Sequence, residues 1–589
     1  MISNRVREAL AAVPLEDVLT VLHEVSRHDR YQASQGIQDA AAVVTDHAER
    51  VGLQAVSINQ YPADGRARWW SFQAPLSWTP AVGTLDVLCD GRQVLSLDHR
   101  RQPVCLAAYS AATGAAGLEA PLVSARSGDP VGLKGAIAVL ELGDADPLPW
   151  IATAGAVGFV SAARDVEHRA RLELPLGCPL FAFSVTPEEL ATIRWAAARG
   201  ARARAVVELA EPASMPVVQA VLPGEPGAEV WLTAHLCHPR PGANDNASGV
   251  ATLLGVGAAF THLQEIDSLW RPPRTIRFVW APEFVGAAAA LHGHLAQGGE
   301  RPAAIVDMDV VGTDQARHRR PFLLERPPDA LLGQLAPLGE AVLGEVLAQT
   351  SSHPGSWAAL PFAGFSDHMV FASYGAPAVQ LCHAPDRLNH SSGDVIDTVS
   401  AVELHRAAAT GVVLARTAAG GFLTASESAS LVGSWCHREK AAAVRLADRC
   451  REVDDGRWSA GLLNYVNCLT HAMAGSVPRY TQHATVHELT GPPLRRCWSG
   501  PLNVRAMTAD MPSDVRQRVV DLIRSDKANL AVLNTLATLV DGLQDAETLA
   551  RQASFGMRRP LERRTTQLLV GAMLESGWVA PVDAASAWS

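Results

Sequence analysis

The chain lacks the features that mark several protein classes. Its nine cysteines are odd in number and scattered, with no Cys-x-x-Cys pair, which excludes a disulfide framework and reads as reduced thiols. No apolar run reaches the roughly 20 uncharged residues needed to span a bilayer. The opening Met1-Ile-Ser-Asn-Arg-Val-Arg-Glu-Ala-Leu10 mixes charges into a helical pattern, without the continuous apolar core of a signal peptide. A soluble cytoplasmic protein with no membrane partner is the expectation. Basic excess is missing too. Lys and Arg number 50 against 60 Asp and Glu, a formal charge of −10, which argues against a chain built to neutralise nucleic-acid phosphates.

What remains is an ordinary globular composition, 48% hydrophobic and 19% charged. At 589 residues the chain exceeds one core at about 100–200 residues per domain, so several structural units are expected. Residues 1–64 read as two amphipathic helices, over Val6–Val25 and Ile37–Val51, separated by the polar turn Arg30–Gly36. Gly52 then serves as a C-cap and Leu53–Ile58 opens a strand. From 65 to 214 short β-rich segments are broken by Gly, Pro and Asp, with no grouped His, Asp or Glu; this reads as an accessory domain.

Strands resume at Glu229–His235, Thr275–Trp280, Ala303–Asp309 and Gly375–Leu381, alternating with helical runs such as Val250–Phe260. Near-continuous apolar strands between helices predict an α/β fold with a mostly parallel sheet flanked by helices. This domain is placed at 215–418 and completed by 1–64. Residues 419–589 are helical in pattern, most clearly over Asp514–Ser525, Ala528–Leu543 and Arg563–Ser576. The pairs Arg495-Arg496 and Arg563-Arg564 invite comparison with a winged-helix module, but solvated helix faces are the simpler reading.

The chemistry concentrates in Trp231-Leu-Thr-Ala-His235-Leu-Cys-His238-Pro-Arg-Pro-Gly-Ala-Asn-Asp245-Asn-Ala-Ser-Gly249. An apolar strand ends at His235, a Pro/Gly turn follows, and Asp245 precedes a helical run. Imidazole and carboxylate therefore converge at a strand's carboxyl end, where open α/β sheets bind ligands, and a zinc site is expected to open there. Glu283 in Trp280-Ala-Pro-Glu-Phe-Val-Gly286, Asp309 in Val306-Asp-Met-Asp-Val-Val-Gly312, and His390 in Asn389-His-Ser-Ser-Gly-Asp394 stand at further strand ends. Each alone is weak, since 20 histidines place some beside turns by chance and a lone strand-end Asp is often a helix cap. Their joint occurrence carries the argument.

These residues resemble the co-catalytic zinc aminopeptidases related to aminopeptidase Y and glutamate carboxypeptidase. The strongest piece is Gly242-Ala-Asn-Asp-Asn-Ala-Ser-Gly249, and the wording around His235 is closer still to a bacterial aminopeptidase-like branch. The resemblance implies His235 as first metal ligand, Asp245 as the carboxylate bridging two metals, Asp309 as a further ligand with Asp307 in reserve, and His390 as the late histidine ligand, with Asp394 a nearby polar partner. It implies Glu283 as general base. Leu133–Val160 resembles the protease-associated domain that some members insert, so 65–214 is expected to be such an insertion. Gly364-Phe-Ser-Asp-His368 resembles a segment near the substrate pocket, to be weighed against helix capping, and His383 is a lesser substitute for His390.

One departure stands out. The family usually shows Glu-Glu where this chain has Glu283-Phe284, so the base is kept and a metal ligand is lost. Either one zinc sits at His235, Asp245 and Asp309 with the second position weakened, or His238 supplies the missing donor beside Asp245 and His390. Cys237 stands where relatives often carry an aspartate. The resemblance thus implies a zinc-dependent hydrolase of peptides or small amides, most closely an aminopeptidase, holding one or two zinc ions. The competing reading is a binding or regulatory protein on a degenerate peptidase scaffold. A homo-oligomer is compatible with the sequence.

Overall fold

Alternation of apolar residues along the central strand sets the layers of the α/β domain. In the computed structural model, which describes residues 2–126, 131–143, 148–164, 167–331, 333–350, 356–475 and 491–582, Glu225–His235 sends Val230, Leu232 and Ala234 into one core and Trp231 into the other. This is the period-two geometry of a strand buried on both faces. The sheet has eight strands, in the order Gln54–Tyr61, Met215–Leu222, Arg274–Ala281, Glu225–His235, Ala304–Met308, Ala378–Cys382, Phe322–Glu325 and Trp357–Leu360. The middle strands, from Arg274–Ala281 to Ala378–Cys382, run parallel, and antiparallel pairings occur toward both edges. Carboxyl ends of the parallel strands therefore gather on one rim.

The first core takes the helices Ile2–Ala12, Leu15–Ser26, Gln35–Arg50, Gly249–Ile266 and Ala401–Ala418. The expected helix over Val6–Val25 is two helices, because Pro14, which has no N–H to donate, stands between them and takes a non-helical ψ of 84°. The opposite face is covered by Val285–Ala296 and by residues of the last third of the chain, among them Leu494, Leu502, Val532, Leu533 and Leu536. The C-terminal helices thus share a core with the sheet.

Residues 80–209 carry a seven-stranded sheet with cores of its own. Beyond 424, Ala425–Arg449 packs against Arg457–Met473, and a two-stranded sheet pairs Leu494–Arg496 with Val579–Pro581. The helix expected over Ala528–Leu543 ends at Leu539. Arg495 and Arg496 lie on a strand, and Arg496 donates to the carbonyls of Val540 at 2.8 Å, Thr538 at 2.8 Å and Ser373 at 3.1 Å. That pair is no solvated helix face, whereas Arg563 and Arg564 are exposed on Arg563–Glu575. Buried ion pairs fasten this region to the α/β domain, Glu439 to Arg326 at 2.8 Å and Arg558 to Asp329 at 2.8 Å, with Arg326 also held by Glu340 at 2.6 Å. Among the described residues no helix is long and apolar enough to cross a membrane.

Candidate metal centre

The parallel strands end around Asp245. His235 closes its strand, and its Nδ1 lies 3.0 Å from the Cys237 carbonyl. A carbonyl can only accept, so Nδ1 carries a proton and Nε2 is the nitrogen left to face the carboxylates or a metal. That Nε2 is 3.1 Å from Asp309 Oδ1 and 3.2 Å from Asp245 Oδ1. His238 follows the same rule: Nδ1 donates to the Pro239 carbonyl at 2.7 Å, and Nε2 faces Asp245 Oδ2 at 3.5 Å. His390 Nε2 lies 3.1 Å from the same Oδ2, with its side chain 57% exposed. The rings of His238 and His390 stack with centroids 5.6 Å apart.

Two donor sets result, His235 with Asp245 and Asp309, and His238 with Asp245 and His390, each with ligand atoms within 4.8 Å of one another. Asp245 belongs to both. Residues separated in sequence by up to 155 positions thus converge on one carboxylate, and the arrangement brings together all five expected metal residues. His238 Nε2 and Asp245 Oδ1 are buried with no hydrogen-bond partner, an unpaired state that burial makes costly and a cation would relieve. Imidazole and carboxylate donors in groups of three fit zinc. Burial holds the His238 imidazole well below its ordinary pKa, Asp245 opposing, so the ring stays in the neutral form that ligates metal. For His235, burial also works against the charged ring, but Asp309 and Glu283 outweigh it and hold the pKa well above its ordinary value.

The loops around the cluster are stitched by side chains. Asp394 accepts the backbone N–H of Asn244 at 2.7 Å and of Asp245 at 2.9 Å, fixing the residue shared by the two donor sets. Asn246 Oδ1 accepts from Gly249 N at 3.0 Å and Val310 N at 3.2 Å, and its Nδ2 donates to the Met308 carbonyl at 2.9 Å. The Asp245 and Asp309 loops are thereby locked together. Gly249 is needed there, since a Cβ would stand 2.3 Å from the Met308 carbonyl oxygen. Arg30, fully buried, donates from Nε to the Leu236 carbonyl at 2.8 Å and from Nη2 to the Gly242 carbonyl at 2.9 Å, bracketing the His238 turn. In the sequence Arg30 stands in a polar turn with nothing to single it out. No local signal could have found it, because its partners lie 206 and 212 positions away.

Glu283 follows the strand Arg274–Ala281 on the same rim. Burial raises its carboxyl to about 7; His235 opposes the rise, and Asp309 and Asp245 add to it. Phe284 takes φ 59° and ψ −64°, sparsely allowed for any residue but glycine. Asp307 is brought elsewhere than the reserve reading expects. It accepts from Thr233 Oγ1 at 2.7 Å and faces His368 Nδ1 at 3.6 Å, because the strand ends at Met308 and Asp309 departs from its alternation. His383 likewise lies apart, 3.4 Å from Glu403. Asp367 sits at the N-cap of His368–Ser373 without capping it; its Oδ1 accepts the Phe284 N–H at 2.5 Å.

The seven-stranded sheet's domain reaches the site through 169–173. Arg171 N–H donates to the His390 carbonyl at 2.6 Å, and Ser392 N–H to the Arg169 carbonyl at 2.9 Å, which pins the His390 loop. The Arg171 guanidinium pairs with Glu173 at 3.1 Å, and its charge is also felt by Asp245 and Glu283.

No curated protein matches the chain in sequence. Among solved structures it is similar to BSAP, a zinc aminopeptidase from Bacillus subtilis, at 17% identity and a TM-score of 0.51, over 71% of this chain and 98% of that one. It is also similar to a peptidase M28 precursor from Shewanella amazonensis, at 16% identity and a TM-score of 0.50, over 72% and 96%. At such identities the likeness is one of fold. The sequence itself matches the profile of Peptidase family M28 over residues 217–415, the stretch that holds every candidate metal donor described above, and in that stretch the chain is similar to this family.

Proposed function

We propose that this chain is a zinc-dependent peptidase, acting as an aminopeptidase on short peptides or on an amide-linked metabolite, with Glu283 as general base. The observation that carries the reading is the pair of donor sets sharing Asp245. In this reading His235, Asp245 and Asp309 hold one zinc and His238, Asp245 and His390 the other, so that His238 takes over from the carboxylate replaced by Phe284. Zinc bound there supplies an electrophile for the amide carbonyl and a position where water ionises near neutral pH. Glu283 accepts the proton of the water attacking the amide carbon and returns it to the nitrogen as the C–N bond breaks. Burial raises its carboxyl to about 7 in the metal-free protein, and bound zinc would bring it lower, toward the ionised form a base needs. Asp394 holds the bridging Asp245 through its backbone, and the segment 169–171 holds the His390 loop. Residues 65–214 are read as a protease-associated-like insertion that contributes this segment.

Metal analysis of the purified protein, with turnover measured on a panel of aminoacyl-anilides, tests the reading. Glu283→Gln is expected to keep the metal and lose turnover by roughly 10²–10⁴-fold. Undiminished hydrolysis by that variant would sink the assigned mechanism.

A further inference from the structure

The turn that presents Glu283 is held from two sides. Val285 N–H donates to the Glu283 carbonyl at 2.7 Å, closing a γ-turn centred on Phe284 at φ 59° and ψ −64°. A γ-turn of this hand is rare and strained, and it persists only where its surroundings over-determine it. Cys237 Sγ accepts the Glu283 N–H at 3.1 Å, and Asp367 Oδ1 accepts the Phe284 N–H at 2.5 Å. Asp367 is almost fully buried, and it stands where a side chain would ordinarily cap its own helix, yet it makes no such bond.

The loop that delivers this carboxylate is itself fixed. Glu325 Oε1 accepts the N–H of Ala363 at 2.7 Å and of Gly364 at 2.8 Å. Asn534, from a C-terminal helix, donates through Nδ2 to the carbonyls of the same two residues at 2.8 and 3.0 Å. Resting on the hydrolytic reading above, we propose that Asp367, together with Cys237, is a positioning residue that holds the strained Glu283–Phe284 turn and through it the carboxyl of the general base.

Asp367→Ala and Asp367→Asn in the full chain test this, read by hydrogen exchange over residues 281–287, by kcat and KM on the aminoacyl-anilides, and by bound metal. Asp367→Ala is expected to speed exchange of the Phe284 amide and to lower kcat, each by about ten-fold or more, with KM and metal content unchanged. Asp367→Asn keeps an oxygen acceptor and stays within about three-fold of wild type on both. Added to Glu283→Gln, Asp367→Ala lowers the residual rate no further, because the base it positions is gone. Wild-type exchange in Asp367→Ala, or an asparagine variant as impaired as the alanine one, overturns the proposal. Should Asp367→Ala not fold, Cys237→Ala against Cys237→Ser puts the same question to the Glu283 amide, with rescue expected from the serine hydroxyl. If the wild-type protein cleaves none of the anilides, the hydrolytic reading falls while the exchange result still decides whether the turn is held in this way.

Discussion

Replacing His238 with alanine separates the two donor sets. The substitution removes one nitrogen from the set with Asp245 and His390 and leaves His235, Asp245 and Asp309 intact. Structural zinc sites bind with about 10–16 kcal/mol over four ligands, about 3 kcal/mol per ligand, and at about 1.4 kcal/mol per decade the second zinc should weaken roughly 100-fold. The first zinc should be little affected, because His235 Nε2 reaches Asp245 through Oδ1 whereas His238 and His390 face Oδ2. The buried ring also packs against His390, and its loss should cost folding about 1–3 kcal/mol, which a thermal melt reports separately. Zinc titrated calorimetrically into chelator-treated protein should give two equivalents in the wild type, and in His238→Ala one tight equivalent and one weakened. Two equivalents at wild-type affinity in the variant would refute the assignment of His238, and equal loss of both would refute the separation of the sets.

Three further outcomes are expected. Turnover should fall on the acid side as Glu283 is protonated; the carboxyl lies at about 7, bound zinc moves it lower, and a pH profile of kcat/KM whose acid limb persists unchanged in Glu283→Gln would exclude this residue as its source. Asp394→Ala removes the acceptor for Asn244 N and Asp245 N and should weaken zinc binding by about 10–100-fold, so an unchanged titration would show that the bridging residue does not need it. His368 is held at about 10 against an ordinary 6.5, burial opposing the charged ring and Glu325 outweighing it. Its folded pKa is raised, so its contribution to stability is fully present below pH 6.5 and lost as pH rises through about 10. Denaturation of the wild type and of His368→Gln should therefore differ most below pH 6.5 and converge toward pH 10, and a difference constant with pH would contradict this.

Much of the site was legible because its signals are local. Asp245 and His235 stand beside Gly/Pro turns at the end of an apolar strand, and Glu283, Asp309 and His390 recur at later strand ends, so the order of elements alone places them on one rim. His238 is marked in the sequence by a chemical shortfall, the phenylalanine after Glu283. Its Nε2 does turn toward Asp245 Oδ2. Asp307 was less legible, because alternation along a strand says which residues share a face but not at which residue the strand stops.

Periodicity, turn residues and ligand chemistry act over a few positions, so the α/β class and the positions and types of the candidate donors can be read along the chain. Which side chains support them emerges from contacts made on folding. Arg30 brackets the His238 turn, Arg171 N–H holds the His390 carbonyl, Asp367 takes the Phe284 amide, and Asn534 fastens the loop that carries Asp367. Each of these contacts joins residues 83 to 219 positions apart, and a hydrogen bond across such a separation leaves no pattern in the neighbouring sequence. It exists only once burial has closed the loops between its partners.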